Sequence, residues 1–99
     1  AIAVYQKNNG VFALIRQKFL NFDVITQYYN LQVTDASGNE ILQQTESTDF
    51  YNMTHGKPYA PEMVYRLHGL NPGAYRLRVY PLNCFFAPGQ PLHCDFQVK

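Results

Sequence analysis

The chain has 99 residues, 15% of them charged, and a formal net charge of +1, which bounds it to one domain with a modest core. Its eight Lys and Arg residues are scattered, so it carries no basic footprint for nucleic acid. No apolar run approaches the ~18 residues that a membrane span requires.

The start, Ala1-Ile2-Ala3-Val4-Tyr5, is apolar but too short for a signal-peptide core, and polar Gln6-Lys7-Asn8-Asn9 follows it. The ends are expected to be cut points, either of a processed protein or, the preferred reading, of a segment excised from a longer chain. Ile2 to Tyr5 reads as a first strand and Asn8-Asn9-Gly10 as a turn. Val11 to Phe19 reads as a second strand, with apolar residues on both faces at Val11, Phe12, Ala13, Leu14 and Ile15. A short buried helix shares that pattern, but the β-branched Val11 and Ile15 favour a strand.

Tyr28 to Thr34 alternates, with Tyr29, Leu31 and Val33 inward and Asn30, Gln32 and Thr34 outward. Asp35-Ala36-Ser37-Gly38-Asn39 is a hairpin turn, and Glu40 to Thr45 returns as a polar edge strand. Glu46 to Pro61 reads as a long loop, with room for a short strand near Phe50-Tyr51. Met63 to Leu67 is the next strand. Tyr75 to Leu82 follows the Asn71-Pro72-Gly73 turn, with Tyr75, Leu77 and Val79 on its inner face. Pro88-Gly89-Gln90-Pro91 closes a last hairpin, and Leu92 to Val98 alternates with Leu92, Cys94, Phe96 and Val98 inward.

About seven short strands, regular turn signals and no convincing helix predict an all-β fold, a two-sheet antiparallel β-sandwich. Tyr29, Leu31, Val33, Leu67, Leu70, Tyr75, Leu77, Val79, Phe96 and Val98 are expected in one core. Tyr75 enters its strand directly after a Pro-Gly turn, so its ring is expected against the core and its hydroxyl on backbone near the turn.

Three segments resemble a fibronectin type III domain. His68-Gly69-Leu70-Asn71-Pro72-Gly73-Ala74-Tyr75-Arg76-Leu77-Arg78-Val79-Tyr80 is similar to its passage between the fifth and sixth strands. Gln90-Pro91-Leu92-His93-Cys94-Asp95-Phe96 is similar to its last strand. Tyr28-Tyr29-Asn30-Leu31-Gln32-Val33, with Asp35 and Gly38, is similar to its third strand and following turn. The resemblance covers roughly residues 24–99. Two departures stand out: the chain has no Trp, so Phe19 or a neighbour is expected in that volume, and the Leu70-to-Tyr75 spacing is one residue shorter.

The resemblance transfers no catalytic residue. It implies a single non-catalytic accessory module, 1–99, of a larger extracytoplasmic protein (secreted, periplasmic or at the cell surface). Such a module packs on or spaces a neighbouring domain of the same polypeptide, for instance a secreted glycoside hydrolase or phosphoesterase. Fold alone does not fix function.

The residues themselves offer no catalytic, cofactor-binding or metal-binding constellation. His55, His68 and His93 have no ligand spacing. Asp35 belongs to a turn, and the other acids have no cleft in which to pair. Ser37 and Ser47 lack a nucleophile-elbow context. Asn52-Met53-Thr54 matches a glycosylation acceptor, a short pattern that chance often produces. Cys84 and Cys94 invite a disulfide in an extracytoplasmic chain. If Pro81 sits opposite Leu92, however, Cys94 faces Val79 and Cys84 lies on the order of 16 Å further along the hairpin. A disulfide needs Cα atoms within about 7 Å, so two free thiols are expected unless the loop folds back.

The remaining candidates are aromatic. Phe85 and Phe86 stand together in the last hairpin loop, either as a contact surface or as caps on the core end. Tyr51 and Tyr59, with Tyr28 and Tyr80, extend that candidate surface toward a carbohydrate or protein ligand, although the absence of Trp weakens sugar stacking.

Overall fold

The structure is a computed structural model and describes residues 2–16, 26–48, 56, 62–82 and 91–99. Its strands are β1 (Ile2–Lys7), β2 (Gly10–Arg16), β3 (Tyr28–Asp35), β4 (Glu40–Ser47), β5 (Glu62–Leu67), β6 (Gly73–Leu82) and β7 (Leu92–Val98). They form two antiparallel sheets, ordered β1-β2-β5 and β4-β3-β6-β7. The expected all-β two-sheet architecture is therefore present.

Local chemistry sets the two hairpins. Asn8 and Asn9 adopt φ of 50° and 64°, and Lys7 pairs with Gly10. This is a two-residue loop with both central residues left-handed, the geometry whose twist matches the flanking strands. Gly10 thus opens β2 and serves a close approach. A Cβ there would stand 2.7 Å from Cε2 of Phe12. In the β3–β4 turn, Oδ1 of Asp35 accepts the N–H groups of Ser37 and Asn39, both at 2.9 Å. Gly38 supplies the left-handed residue at φ 84°, as such turns require.

The core lies between the sheets. Val11, Ala13 and Ile15 of β2 and Tyr65 and Leu67 of β5 meet Tyr29, Leu31 and Val33 of β3, Leu77 and Val79 of β6, and Val98 of β7. Leu31, Val33, Leu77 and Val79 are fully buried, and each contributes roughly 1.5–3 kcal/mol of apolar transfer. Leu70, Tyr75 and Phe96 are only partly buried, packed against this cluster. The Tyr75 ring stacks on Phe96 with centroids 5.5 Å apart, and its hydroxyl donates to the carbonyl of Asn71 at 2.6 Å, as its position after the turn predicts.

Side chains also tie the sheets together at their edges. Nε2 of Gln44 on β4 donates to the carbonyl of Arg66 on β5 at 3.0 Å. The Tyr65 hydroxyl donates to the carbonyl of Ser47 at 2.7 Å. Across the molecule, the backbone N–H of Lys99 donates to Oε1 of Gln6 on β1 at 3.0 Å. These bonds occupy groups on edge strands that otherwise invite pairing with another chain.

Several expectations need correction. Leu92 pairs with Val79, and Cys94 with Leu77, so the β6–β7 register is two residues from the one expected. A two-residue shift keeps every side chain on its own face, so alternation cannot choose between the two registers. Leu92 is not buried but 43% exposed, because it opens an edge strand at the corner of its sheet. β4 continues to Ser47, two residues beyond the expected end. Asn30 faces outward yet is buried, covered by its bonds to Thr45 and Gln32. The second strand is present over Gly10–Arg16 as expected, and residues 17–19 of it lie outside the described residues.

Candidate interaction surface

The strand pleat divides each sheet into a core face and an outer face. In the three-stranded sheet, Val11, Ala13, Ile15, Tyr65 and Leu67 point to the core. Phe12 and Leu14 therefore point outward, as do Ala3 and Tyr5 of β1 and Val64 and Arg66 of β5. The register aligns them in two rows across the strands. Ala3, Leu14 and Val64 form one row, and Tyr5, Phe12 and Arg66 form the other.

Five of these six side chains are apolar. Tyr5 is 40% exposed and Val64 48%; Ala3 is exposed, and Phe12 and Leu14 are half-buried. The Tyr5 and Phe12 rings stack. Single exposed apolar residues are ordinary on any protein, but contiguous ones mark contact surfaces. Here they form one patch over all three strands. Its sequence signal was visible in Val11 to Ile15, which is apolar at every position. Alternation shows that such a strand has two apolar faces but not what covers the second.

Charge frames the patch. Past Ala3 and Val64, Arg16 pairs with Glu62 at 3.1 Å, both partners being well exposed, so the pair stabilises the fold by at most about 1 kcal/mol. At the opposite end stand Lys7, Arg66 and His68, all exposed. Among the described residues, no carboxylate pairs with any of the three.

The outer face of the four-stranded sheet is built differently. Nδ2 of Asn30 donates to Oγ1 of Thr45 at 3.0 Å, and Nε2 of Gln32 donates to Oδ1 of Asn30 at 2.8 Å. Nε and Nη2 of Arg76 grip both oxygens of Asp95 at 2.6 and 3.1 Å. That grip, helped by the nearby charges of His93 and Arg78, holds the Asp95 carboxyl below its ordinary value and raises the Arg76 guanidinium. An open groove runs beside Asp35, Tyr75, Arg76, Arg78, Asp95 and Phe96. This is a solvated polar face whose groups largely satisfy one another.

Phe85, Phe86, Tyr51 and Tyr59 all lie outside the described residues, as do His55, Asn52, Cys84 and Phe19. Tyr28 is half-buried, and its hydroxyl accepts from Nε2 of Gln27. Tyr80 is half-buried on the polar face. His93 is exposed opposite Arg78. Cys94 is a half-buried free thiol, pushed upward in pKa by burial and then by the charge of Asp95. Among the described residues, no three His, Cys, Asp or Glu side chains converge as a metal site, and no helix is long and apolar enough to cross a membrane.

Comparison with protein-family models, with curated proteins and with solved structures returns no match. The surface chemistry is therefore the ground for a functional reading.

Proposed function

We propose that the chain is a non-catalytic β-sandwich accessory module of a larger extracytoplasmic protein. It packs on a neighbouring domain of the same polypeptide through the outer face of its three-stranded sheet. The observation that carries this reading is the continuous apolar patch of Ala3, Tyr5, Phe12, Leu14 and Val64. Contiguous exposed apolar patches mark contact surfaces, and leaving one in water forfeits its burial energy.

Strand order supports a fibronectin type III-like build. β4 pairs with β3 and leaves β1-β2-β5 as a separate three-stranded sheet. In a constant-type immunoglobulin sandwich the fourth strand joins the other sheet. The extracytoplasmic setting rests on the sequence resemblance.

Calorimetry tests the docking. In the longer polypeptide, the module is expected to melt above the temperature at which the 99-residue chain melts alone, because docking binds only the folded state. Tyr5→Ser combined with Val64→Lys should bring the two temperatures together. Equal melting temperatures in the wild type would refute the reading.

A further inference from the structure

Resting on that docking reading, we infer that the neighbour's contact surface is acidic around an apolar centre, and that Arg66 is the charge anchor that sets the module's orientation on it. Arg66 continues the row of Tyr5 and Phe12 across β5, so a partner covering those rings comes within reach of its guanidinium. Covering an arginine without a counter-charge carries a desolvation penalty, which a well-placed carboxylate offsets through paired, charge-assisted hydrogen bonds. No carboxylate among the described residues supplies one.

Near this end, Arg66 and His68 also border a small open notch of about 190 Å³ whose other walls include the core-side residues Val11, Leu67 and Leu70, so the notch belongs to the end of the sandwich and not to the outer face. The backbone behind the anchor is held in place, because Gln44 donates to the carbonyl of Arg66. Lys7, outward on β1 beyond Tyr5, adds a second cation at this end. The far end is different: Arg16 is already answered by Glu62. The face is therefore polarised, with an open positive end and a neutral one, which fixes one orientation of an acidic partner over its reverse.

A second copy of this chain fits poorly. Among the described residues, the carboxylate on this face is Glu62, already paired with Arg16. A second copy therefore offers Arg66 no free acid, and two positive ends brought together would discriminate against that pairing.

The test is covalent footprinting of Tyr5, Phe12, Leu14 and Val64 with a side-chain-reactive carbene, in the 99-residue chain and in the longer polypeptide. Docking predicts that these four are labelled less in the longer polypeptide. The acidic partner predicts that Lys7→Glu with Arg66→Glu weakens docking roughly tenfold, that Arg66→Lys preserves most of it, and that raising salt from about 0.05 M to about 0.5 M mimics the reversal. An unchanged melting temperature of the 99-residue double variant shows that folding is intact. Protection that survives the charge reversal and the salt would overturn the acidic partner while leaving docking standing. Equal labelling in both contexts would overturn docking itself. Protection in the 99-residue chain that grows with concentration would assign the face to a second copy and overturn the proposal.

Discussion

Tyr5 and Phe12 stack across the β1–β2 pair with centroids 5.5 Å apart and planes 23° from parallel, on the side of the sheet that faces away from the core. Tyr29 and Tyr65 meet edge to face inside the sandwich, at 6.2 Å and 64°. The same residue class thus serves two purposes, and mutation separates them. Tyr5→Ser in the 99-residue chain should cost about 1 kcal/mol, the size of an aromatic pair with partial burial. Leu31→Ala, at a fully buried position, should cost about 2–5 kcal/mol. Urea unfolding measures both, and equal losses would make the outer stack part of the core.

Tyr75→Phe should cost about 0.5–1.5 kcal/mol, the net worth of one hydrogen bond. The variant keeps the ring on Phe96 and loses only the bond to the carbonyl of Asn71. Its unfolding slope in urea should be unchanged, because no additional surface is exposed. A cost of several kcal/mol would mean that the turn collapses without the hydroxyl.

Acid should destabilise the fold through two named carboxylates. The N–H of Asn39, followed by that of Ser37, holds Asp35 below its ordinary value of 3.8. The Arg76 guanidinium does the same for Asp95. With both folded pKa values depressed, the unfolded chain takes up protons first as pH falls. Their stabilisation is therefore complete above the ordinary carboxylate range and is lost as pH drops through the folded values. Urea midpoints should be level from neutral pH to about pH 5 and then decline. Asp35→Asn and Asp95→Asn should each flatten part of that decline. A decline untouched by both substitutions would place the acid sensitivity elsewhere.

Thiol titration in denaturant without reductant should return both cysteines of the chain, because Cys94 is free. In the native protein, Cys94 should react with iodoacetamide more slowly than an exposed thiol. Burial hides it and suppresses its thiolate. A mass two hydrogens light, with no thiol found, would mean that the two are bonded.

Much of the architecture is legible in the chain itself. Period-two alternation in Tyr29-Leu31-Val33 and Leu77-Val79 names strands and their inner faces, because one buried side of a pleated strand demands it. Asn8-Asn9 and Asp35 to Asn39 name turns, because their side chains tolerate or stabilise left-handed backbone. What alternation cannot carry is anything invariant to a two-residue shift. Leu77 opposite Cys94 was therefore decided only when β6 and β7 met. It also cannot say which of two apolar faces is covered. Phe12 and Leu14 are as apolar as Val11, Ala13 and Ile15, and only the position of β3 and β6 over one side of β2 makes that side the core. The apolar patch, and Arg66 at its rim, come from three strands distant in sequence. They became a surface through register alone, because hydrogen-bonded pairing is what brings Tyr5, Phe12 and Arg66 into one row.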